Sequence, residues 1–219
     1  MLVRIYAFFL LTMAILFILA GRLTYWQGWL FGGTYFILLV IISIRFTDRK
    51  DLIYERLKPG PGVKWWDKTF FRFYIFLSIC LLAVSTLDGG RFKWSPQLPA
   101  ILYIVSYAML LISYLFILWA MWINKFFSSR VRIQTDRNHY VIQEGPYRFV
   151  RHPGYLGGIF WLLTFPLILG SLWGLIPALL DVIAIIIRTY LEDKMLQKEL
   201  PGYTDYANRV RYRLMRGIW

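Results

Sequence analysis

The sequence of 219 residues is poor in charged residues, in histidine and in cysteine. Only 17% of its residues are charged, whereas a soluble globular domain carries about 25%. The single cysteine, Cys80, excludes a disulfide within the chain and any metal site built from several cysteines. Two histidines without cysteines or paired acids also argue against a zinc or iron site. The sequence therefore predicts a protein that binds no metal.

Long apolar runs take the place of the missing charges, since 58% of the residues are hydrophobic and 19% are aromatic. A membrane-spanning helix needs about 20 mainly apolar residues. Four runs in the N-terminal half approach or exceed that length: Ile5–Ala20, Trp29–Ile44, Phe70–Leu87 and Leu98–Ile123. The pattern predicts an all-α, polytopic membrane protein.

A helical hairpin is predicted after these four helices. Its halves, Gly154–Leu169 and Leu172–Ile187, meet at a turn at Gly170 and Ser171. Each half is slightly short for a straight span, so tilted and incompletely spanning helices both remain open. The helical pattern then continues beyond the membrane and predicts a C-terminal cytoplasmic helix. We expect membrane helices in residues 1–123 and a cofactor-binding catalytic core in residues 124–219.

The first apolar run has two interpretations. It follows a weakly basic start, as the hydrophobic region of a secretory signal peptide would. The run is long for a signal peptide, however, and a second apolar segment follows it almost at once. We therefore expect a retained first membrane helix rather than a cleaved signal.

The net charge of +13 belongs to the loops and tail. Of the 25 Lys and Arg residues, 22 fall on one predicted side of the membrane and 3 on the other. Basic residues are enriched in cytoplasmic loops, so we expect the three basic segments and both termini to be cytoplasmic. The same distribution favours a bilayer partner and gives no indication of nucleic-acid binding.

A dense polar motif, Gly145–Tyr155, lies directly before the predicted hairpin. Proline is favoured in the first turn of a helix, so Pro153 is a candidate helix start, with free N–H groups facing the loop. Such a helix terminus binds carboxylate or phosphate well. The simpler alternative is a helix cap at the membrane interface, with Arg151 and His152 touching lipid phosphates. Taken alone, the motif leaves both interpretations open.

The second half of the hairpin carries Asp181, Arg188 and Glu192, which are spaced by seven and four residues. This spacing places all three on one helix face. One interpretation is a structural ion pair between Arg188 and Glu192. The other is a cationic anchor and a carboxylate facing a cavity at the membrane–cytosol boundary, since an acid within a membrane run usually faces protein, water or a partner.

Together these motifs resemble the isoprenylcysteine carboxyl methyltransferase family of membrane enzymes. The resemblance covers about residues 124–219. Its pattern comprises His139-Tyr-Val, Gly145-Pro-Tyr, Arg151-His-Pro-x-Tyr155, Arg188-x-x-x-Glu192-Asp193-x-x-Leu196 and Tyr203-x-x-Tyr206. Phospholipid N-methyltransferases and some sterol reductases share a similar C-terminal core.

The resemblance implies S-adenosylmethionine as cofactor and a role for each matched position. Arg188 would bind the methyl acceptor and would act in catalysis with Glu192. The implied cofactor-binding residues are Gln134, His139, Tyr140, Val141, Ile142, Gly145, Tyr147, Arg151, His152, Pro153, Gly154, Tyr155 and Glu192.

The implied function is transfer of a methyl group to a lipophilic small-molecule or lipidated acceptor, with a carboxylate as the preferred group. A carboxylate is already ionised at neutral pH and needs only alignment, which the planar fork of Arg188 provides. The alternatives are a phospholipid or amine N-methyltransferase, an NADPH-dependent reductase of the same fold, and a non-enzymatic scaffold or transporter. An amine acceptor would have to lose a proton and would favour a nearby base.

Overall fold

Every regular element is a helix in the part of the chain that the computed structural model describes, residues 2–57 and 60–219. Eight α-helices are found there: α1 (Leu2–Ala20), α2 (Trp26–Arg45), α3 (Lys50–Leu57), α4 (Trp65–Thr86), α5 (Ala100–Ile123), α6 (Pro153–Ile168), α7 (Leu175–Glu199) and α8 (Tyr203–Arg209). A π-helical turn follows α4 at Leu87–Phe92, and two 3₁₀ turns lie at Thr135–Arg137 and Gly145–Arg148. The prediction of an all-α fold is confirmed.

Four helical segments within these residues are long and apolar enough to cross a membrane: Val3–Ala20, Trp26–Arg45, Trp65–Phe92 and Ala100–Ile123. Within the protein they are only 17–28% buried, so most of their apolar surface is left for contact with lipid. The four predicted N-terminal spans are thereby confirmed, and the chain is a multi-pass membrane protein.

The helical hairpin forms as predicted, with α6 of 16 residues and α7 of 25 residues. Gly170 adopts a φ of +76° at the turn, a left-handed conformation that favours glycine. The start of α7 differs from the prediction by three residues, because the Gly174 N–H donates to Ser171 Oγ at 2.9 Å and holds a separate turn. At its other end α7 continues to Glu199, just before Pro201 and Gly202.

The chain forms two compact units. The first contains Met1–Lys50, Phe76–Ala108 and Leu162–Leu180. Aromatic packing and one buried carboxylate hold it together: the ring of Phe31 meets Phe165 edge-on at 5.1 Å, and Asp88 is fully buried. The Asp88 carboxylate accepts hydrogen bonds from the Ser95 backbone at 2.7 Å and from Ser171 Oγ at 2.6 Å, which satisfies this buried charge.

The second unit contains Asp51–Ile75, Met109–Trp161 and Asp181–Trp219. Its core is a cluster of buried side chains: Ala120, Val131, Tyr147, Met195, Leu196, Leu200, Tyr203 and Tyr206. Within this unit α5 and α6 approach closely at Gly157, where an added Cβ would lie 2.5 Å from the Ile117 side chain. Ser113 Oγ donates to the Gly157 carbonyl at 2.5 Å and fixes that contact. All cofactor and acceptor residues expected from the sequence belong to this unit.

Helix α3 was not predicted. Its eight residues are too polar to stand out as an apolar run, yet Leu52 and Glu55, which are three residues apart and share a helix face, are both buried. Glu55 makes a two-pronged ion pair with Arg132, with N–O distances of 2.8 and 2.9 Å. Tertiary contacts of this kind, rather than local preference, stabilise such a short helix.

Candidate active site

A cleft in the second unit is lined by the segment that joins α5 to α6, the first turn of α6, the C-terminal part of α7 and helix α8. The cleft holds about 830 Å³ of empty space, including solvent at its mouth. Its lining combines apolar and aromatic side chains with a few polar groups, which is typical of small-molecule sites.

Gly145 and Tyr147 shape one wall of this cleft. Gly145 has a φ of +57°, and an added Cβ would lie 2.8 Å from the Ile123 side chain, so the turn requires glycine. Tyr147 is buried; Asn124 Nδ2 donates to its hydroxyl at 3.0 Å, and Tyr206 donates to its carbonyl at 2.8 Å. Burial raises the pKa of Tyr147, which keeps the hydroxyl neutral.

Helix α6 begins at Pro153, as predicted, at the edge of the cleft. The N–H groups of Tyr155 and Leu156 donate to the carbonyl of His152 at 3.1 and 3.2 Å, which caps the first turn. The backbone N–H groups of Arg151 and His152 donate to the carbonyls of Tyr212 and Arg213. The C-terminal segment therefore holds the motif in place.

Asp193 on α7 connects the motif to the rest of the site. Its fully buried carboxylate binds the Arg151 guanidinium at 2.7 and 2.9 Å and lies 3.3 Å from His152 Nε2. Tyr203 and Arg213 also donate to it, at 3.1 and 2.9 Å. Burial alone would raise the pKa of Asp193, but the hydrogen bonds from His152 and Arg151 outweigh it and hold the pKa well below its usual range.

His139 also lines the cleft, and its ring lies against that of Phe126 at a centroid distance of 4.4 Å. The Gln134 N–H donates to His139 Nδ1 at 3.3 Å, which leaves Nε2 as the protonated nitrogen of a neutral ring. Burial, reinforced by the charges of Arg132 and Arg137, lowers the pKa of His139 to about 4. The ring is thus an uncharged flat surface at neutral pH.

Glu192 provides the carboxylate of the cleft. The Tyr155 hydroxyl donates to Glu192 Oε2, so the side chain is fixed by its neighbour on α6. Both residues line the cleft. A carboxylate at this position offers a cationic ligand an attractive, oriented partner.

Arg188 lies one helical turn before Glu192 but is not among the residues that line the cleft in the described part of the chain. Its Nη2 is 2.8 Å from Asp67 Oδ1 and donates to the Ser129 carbonyl at 2.8 Å. The guanidinium also lies 5.2 Å from the centre of the Tyr155 ring. The salt bridge that fixes Arg188 is thus made with α4.

Asp181, which the sequence placed on the same helix face, is fully buried. In the described part of the chain its two carboxylate oxygens have no hydrogen-bond partner, and Asp181 is absent from the cleft lining. The seven-residue spacing to Arg188 therefore does not bring Asp181 into the site.

Most residues predicted for the cofactor do line the cleft. They are Gln134, His139, Tyr140, Val141, Ile142, Tyr147, Arg151, His152, Pro153, Gly154, Tyr155 and Glu192. Several of them use polar atoms within the protein, among them Gln134 and Arg151. Gln134 donates to the Phe126 carbonyl at 2.7 Å, and Arg151 is held by Asp193. Gly145 is the predicted residue that is not among those lining the cleft in the described part of the chain; it begins the 3₁₀ turn that carries Tyr147.

The sequence did not single out the remaining lining residues, which are Asn124, Phe126, Phe127, Ser128, Arg130, Val131, Arg132, Met195, Leu196, Leu200, Tyr203 and Tyr206. The two tyrosines belong to the resemblance pattern but had received no role. Phe126 and Phe127 end the apolar stretch that precedes the loop, so their only signal was two adjacent aromatic residues beside a basic segment.

Comparison with known families defines the class of protein. Residues 101–201 match a family of membrane methyltransferases that use S-adenosylmethionine, and the matched stretch contains all the cleft residues of α6 and α7. The chain is accordingly a membrane methyltransferase with S-adenosylmethionine as its cofactor.

The family whose model matches residues 101–201 is described as phospholipid methyltransferase. No curated protein matches the chain. The isoprenylcysteine carboxyl methyltransferases, to which the sequence motifs were compared, are members of the same superfamily, so the expected cofactor and enzyme class are confirmed at that level.

Proposed function

We propose that this protein transfers the methyl group of S-adenosylmethionine to the amine of a phospholipid headgroup. The observation that carries the proposal is the carboxylate of Glu192, held by Tyr155 on the wall of the cleft. Within the matched family, this carboxylate suits a cationic cofactor and an acceptor that arrives as an ammonium ion.

The cleft residues divide into two sets that fit the cofactor. Phe126 and His139 offer a flat, uncharged aromatic wall for the adenine. Glu192 on α7 offers its negative charge to the sulfonium, which supplies an activated methyl group when the cofactor is bound. His152 and Pro153 add to the lining of the cleft at the start of α6.

An ammonium acceptor needs a partner that takes up its positive charge and, before the transfer, its proton. Glu192 and Asp67 are the two carboxylates closest to Arg188, and both interact electrostatically with it. Asp67 already compensates Arg188, which leaves the Glu192 carboxylate for the incoming amine. Positioning of the two reactants supplies about 7–11 kcal/mol of the barrier in such reactions.

A carboxylate acceptor of the isoprenylcysteine type is the second candidate. The observation in its favour is Arg188 Nε, which is buried and has no hydrogen-bond partner among the described residues. A carboxylate oxygen would satisfy that donor in the geometry that arginine prefers. The two candidates differ in the sign of the acceptor charge, so they can be separated by substrate choice.

The test uses purified protein in nanodiscs with S-adenosylmethionine labelled in the methyl group. One set contains phosphatidylethanolamine in phosphatidylcholine, and a second contains a farnesylated cysteine in phosphatidylcholine alone. The proposal expects label in monomethylated phosphatidylethanolamine and loss of this product in Glu192→Gln. The matched control is Glu199→Gln, which removes an exposed carboxylate paired with Lys64. Label in the farnesylated cysteine alone would replace the amine acceptor by a carboxylate.

We further propose that the catalytic core spans residues 124–219 and faces the cytoplasm with both termini. Its support is the bias of Lys and Arg, with 22 of 25 on one predicted side. Fusion of a reporter that is active only in the cytoplasm to the C-terminus tests the orientation. Activity of a reporter that functions only outside the cytoplasm would contradict it.

A further inference from the structure

Three arginines gather beside the cleft in the second unit, and the sequence had singled out only Arg188 among them. Arg56 comes from α3, Arg130 from the loop after α5, and Arg188 from α7. Arg130 lines the cleft itself. The arginines come from three separate segments, so their convergence is a property of the fold.

Ser129 and Phe71 hold this cluster together. The Ser129 hydroxyl donates to the Arg56 carbonyl at 2.7 Å, and its own carbonyl accepts from Arg188 at 2.8 Å. The Arg130 and Arg188 guanidinium carbons lie 3.5 and 5.0 Å from the centre of the Phe71 ring. Aromatic faces therefore support the guanidinium groups and orient them.

The charges of the cluster are incompletely compensated by its own carboxylates. Asp67 pairs with Arg188, and its backbone carbonyl accepts a hydrogen bond from Arg130 at 3.5 Å. The negative charge of Glu192 also acts on Arg188. Glu55 and Asp193 are committed to Arg132 and Arg151. Among the residues that the structure describes, these three guanidinium groups thus have two carboxylates, Asp67 and Glu192, which leaves one positive charge in excess.

Burial and the neighbouring charge of Arg188 disfavour the charged forms of Arg56 and Arg130. Burial lowers the pKa of Arg56, and the charge of Arg188 lowers it further. Burial also lowers the pKa of Arg130, where Arg188 acts against the favourable effect of Asp67. An uncompensated charge in a partly buried site is costly, and an anion that binds there relieves the cost.

We propose that Arg56, Arg130 and Arg188 form a binding site for a phosphate-class anion, the phosphodiester of the phospholipid acceptor. The site lies beside Glu192, so a zwitterionic headgroup would place its phosphate on the arginines and its amine at the carboxylate. Guanidinium groups bind phosphate oxygens through paired hydrogen bonds. This inference rests on the proposed function, because it assigns a binding site to the phosphate of the same acceptor whose amine is methylated.

The first experiment separates acceptor binding from cofactor binding. Arg130→Gln is assayed in nanodiscs with increasing phosphatidylethanolamine, and its affinity for S-adenosylmethionine is measured by calorimetry. We expect the KM for the lipid to rise about tenfold or more, as for loss of a hydrogen bond to a charged group, with the cofactor Kd unchanged. Arg130→Lys keeps the charge and restores part of the loss. The control is Arg148→Gln, which removes an exposed arginine outside the cleft lining.

The second experiment does not depend on turnover. Binding of dihexanoyl phosphatidic acid, dihexanoylglycerol and inorganic phosphate is compared by calorimetry in wild type and Arg130→Gln. We expect binding of the phosphatidic acid alone, and its loss in the variant. Equal binding of inorganic phosphate would overturn the assignment to a lipid, and equal binding of dihexanoylglycerol would overturn the anion site.

The outcomes distinguish this inference from the function on which it rests. Wild-type protein that methylates phosphatidylethanolamine while Arg130→Gln matches Arg148→Gln would overturn the anion site alone. Weaker cofactor binding (a larger Kd) with an unchanged lipid KM would assign the arginines to the carboxylate of the cofactor. That result would also overturn the proposed anion site. Absence of lipid methylation by wild type would reject the proposed function, and the calorimetric comparison would still decide whether the anion site exists.

Discussion

Arg151 and Asp193 face each other through two parallel hydrogen bonds, with Nε–Oδ1 at 2.7 Å and Nη2–Oδ2 at 2.9 Å. The two residues are 42 positions apart in the chain. Both side chains are buried, and the same carboxylate also accepts from Tyr203 and Arg213. The pair therefore fixes the start of α6 relative to α7 within the second unit.

Asp193→Asn is expected to destabilise the second unit strongly. The change leaves the buried guanidinium of Arg151 without its counter-charge, and breaking such a pair costs about 3–5 kcal/mol. Thermal unfolding in detergent, followed by intrinsic fluorescence, measures the loss. Asp205→Asn, an exposed acid on α8, is the control.

The same substitution has an expected pH signature. The folded-state pKa of Asp193 lies below the unfolded value of about 3.9, so its stabilising contribution is present above that value and is lost as pH falls through the folded pKa. The difference in stability between wild type and Asp193→Asn should be constant from pH 7 to about pH 5 and shrink below about pH 4. A difference that grows on acidification would contradict this assignment.

Arg188→Lys is expected to abolish methylation while cofactor binding persists. Arg188 Nη2 contacts both Asp67 and Ser129, and the compact ammonium of lysine cannot reproduce this planar arrangement. Misplacement of a group that aligns the acceptor costs about 100-fold in rate. Single-turnover methylation and calorimetric titration of S-adenosylmethionine give the two quantities. Loss of cofactor binding in this variant would remove Arg188 from the acceptor site.

Gly154→Ala is expected to weaken cofactor binding, whereas Gly158→Ala is expected to leave it unchanged. A Cβ at Gly154 would lie 2.6 Å from the ring of Phe127, which lines the cleft and must move. At Gly158 the nearest atom is 4.0 Å away, an ordinary contact. Overpacking costs about 1–3 kcal/mol, or about 5- to 150-fold in Kd if all of it appears in binding. Equal Kd values for the two variants would show that the Phe127 ring moves aside without a free-energy cost to cofactor binding.

His139 is expected to stay neutral throughout the physiological pH range. Its folded-state pKa of about 4 lies below the unfolded value of about 6.5, so the unfolded state takes up the proton first. Stability should therefore fall as pH decreases from about 6.5 to about 4, and this component should vanish in His139→Gln. The imidazole nitrogen shifts in NMR report the titration directly. A His139 midpoint near 6.5 in the folded protein would refute the buried, neutral ring.

The membrane helices and the polar motif could be predicted from the sequence because both depend on residues that are close together in the chain. Four spans, the hairpin turn at Gly170 and the helix start at Pro153 depend on neighbours within a few residues. Family resemblance then added the cleft positions of His139 and Glu192. These features cover most of the helical architecture and about half of the residues that line the cleft.

The remaining features depend on contacts between distant segments, which periodicity does not reveal. Asp67 looked like an ordinary acid in the first turn of α4, yet it is the partner of Arg188. Asp193 was noted only as the neighbour of Glu192, although it connects five side chains: Arg151, His152, Gln197, Tyr203 and Arg213. Helix α3 depends on its ion pair with Arg132 and is too polar to be found by hydropathy.

The contact of Arg213 with Asp193 has a consequence for the order of events during biosynthesis. Arg213 donates to the Asp193 carboxylate, and its carbonyl accepts from the His152 backbone. Both contacts need a segment that the ribosome makes after α1 to α7 have been synthesised. Insertion of these helices can thus be finished while the cleft is still incomplete, and competence to bind the methyl donor should arise only once the segment that carries Arg213 has emerged and docked.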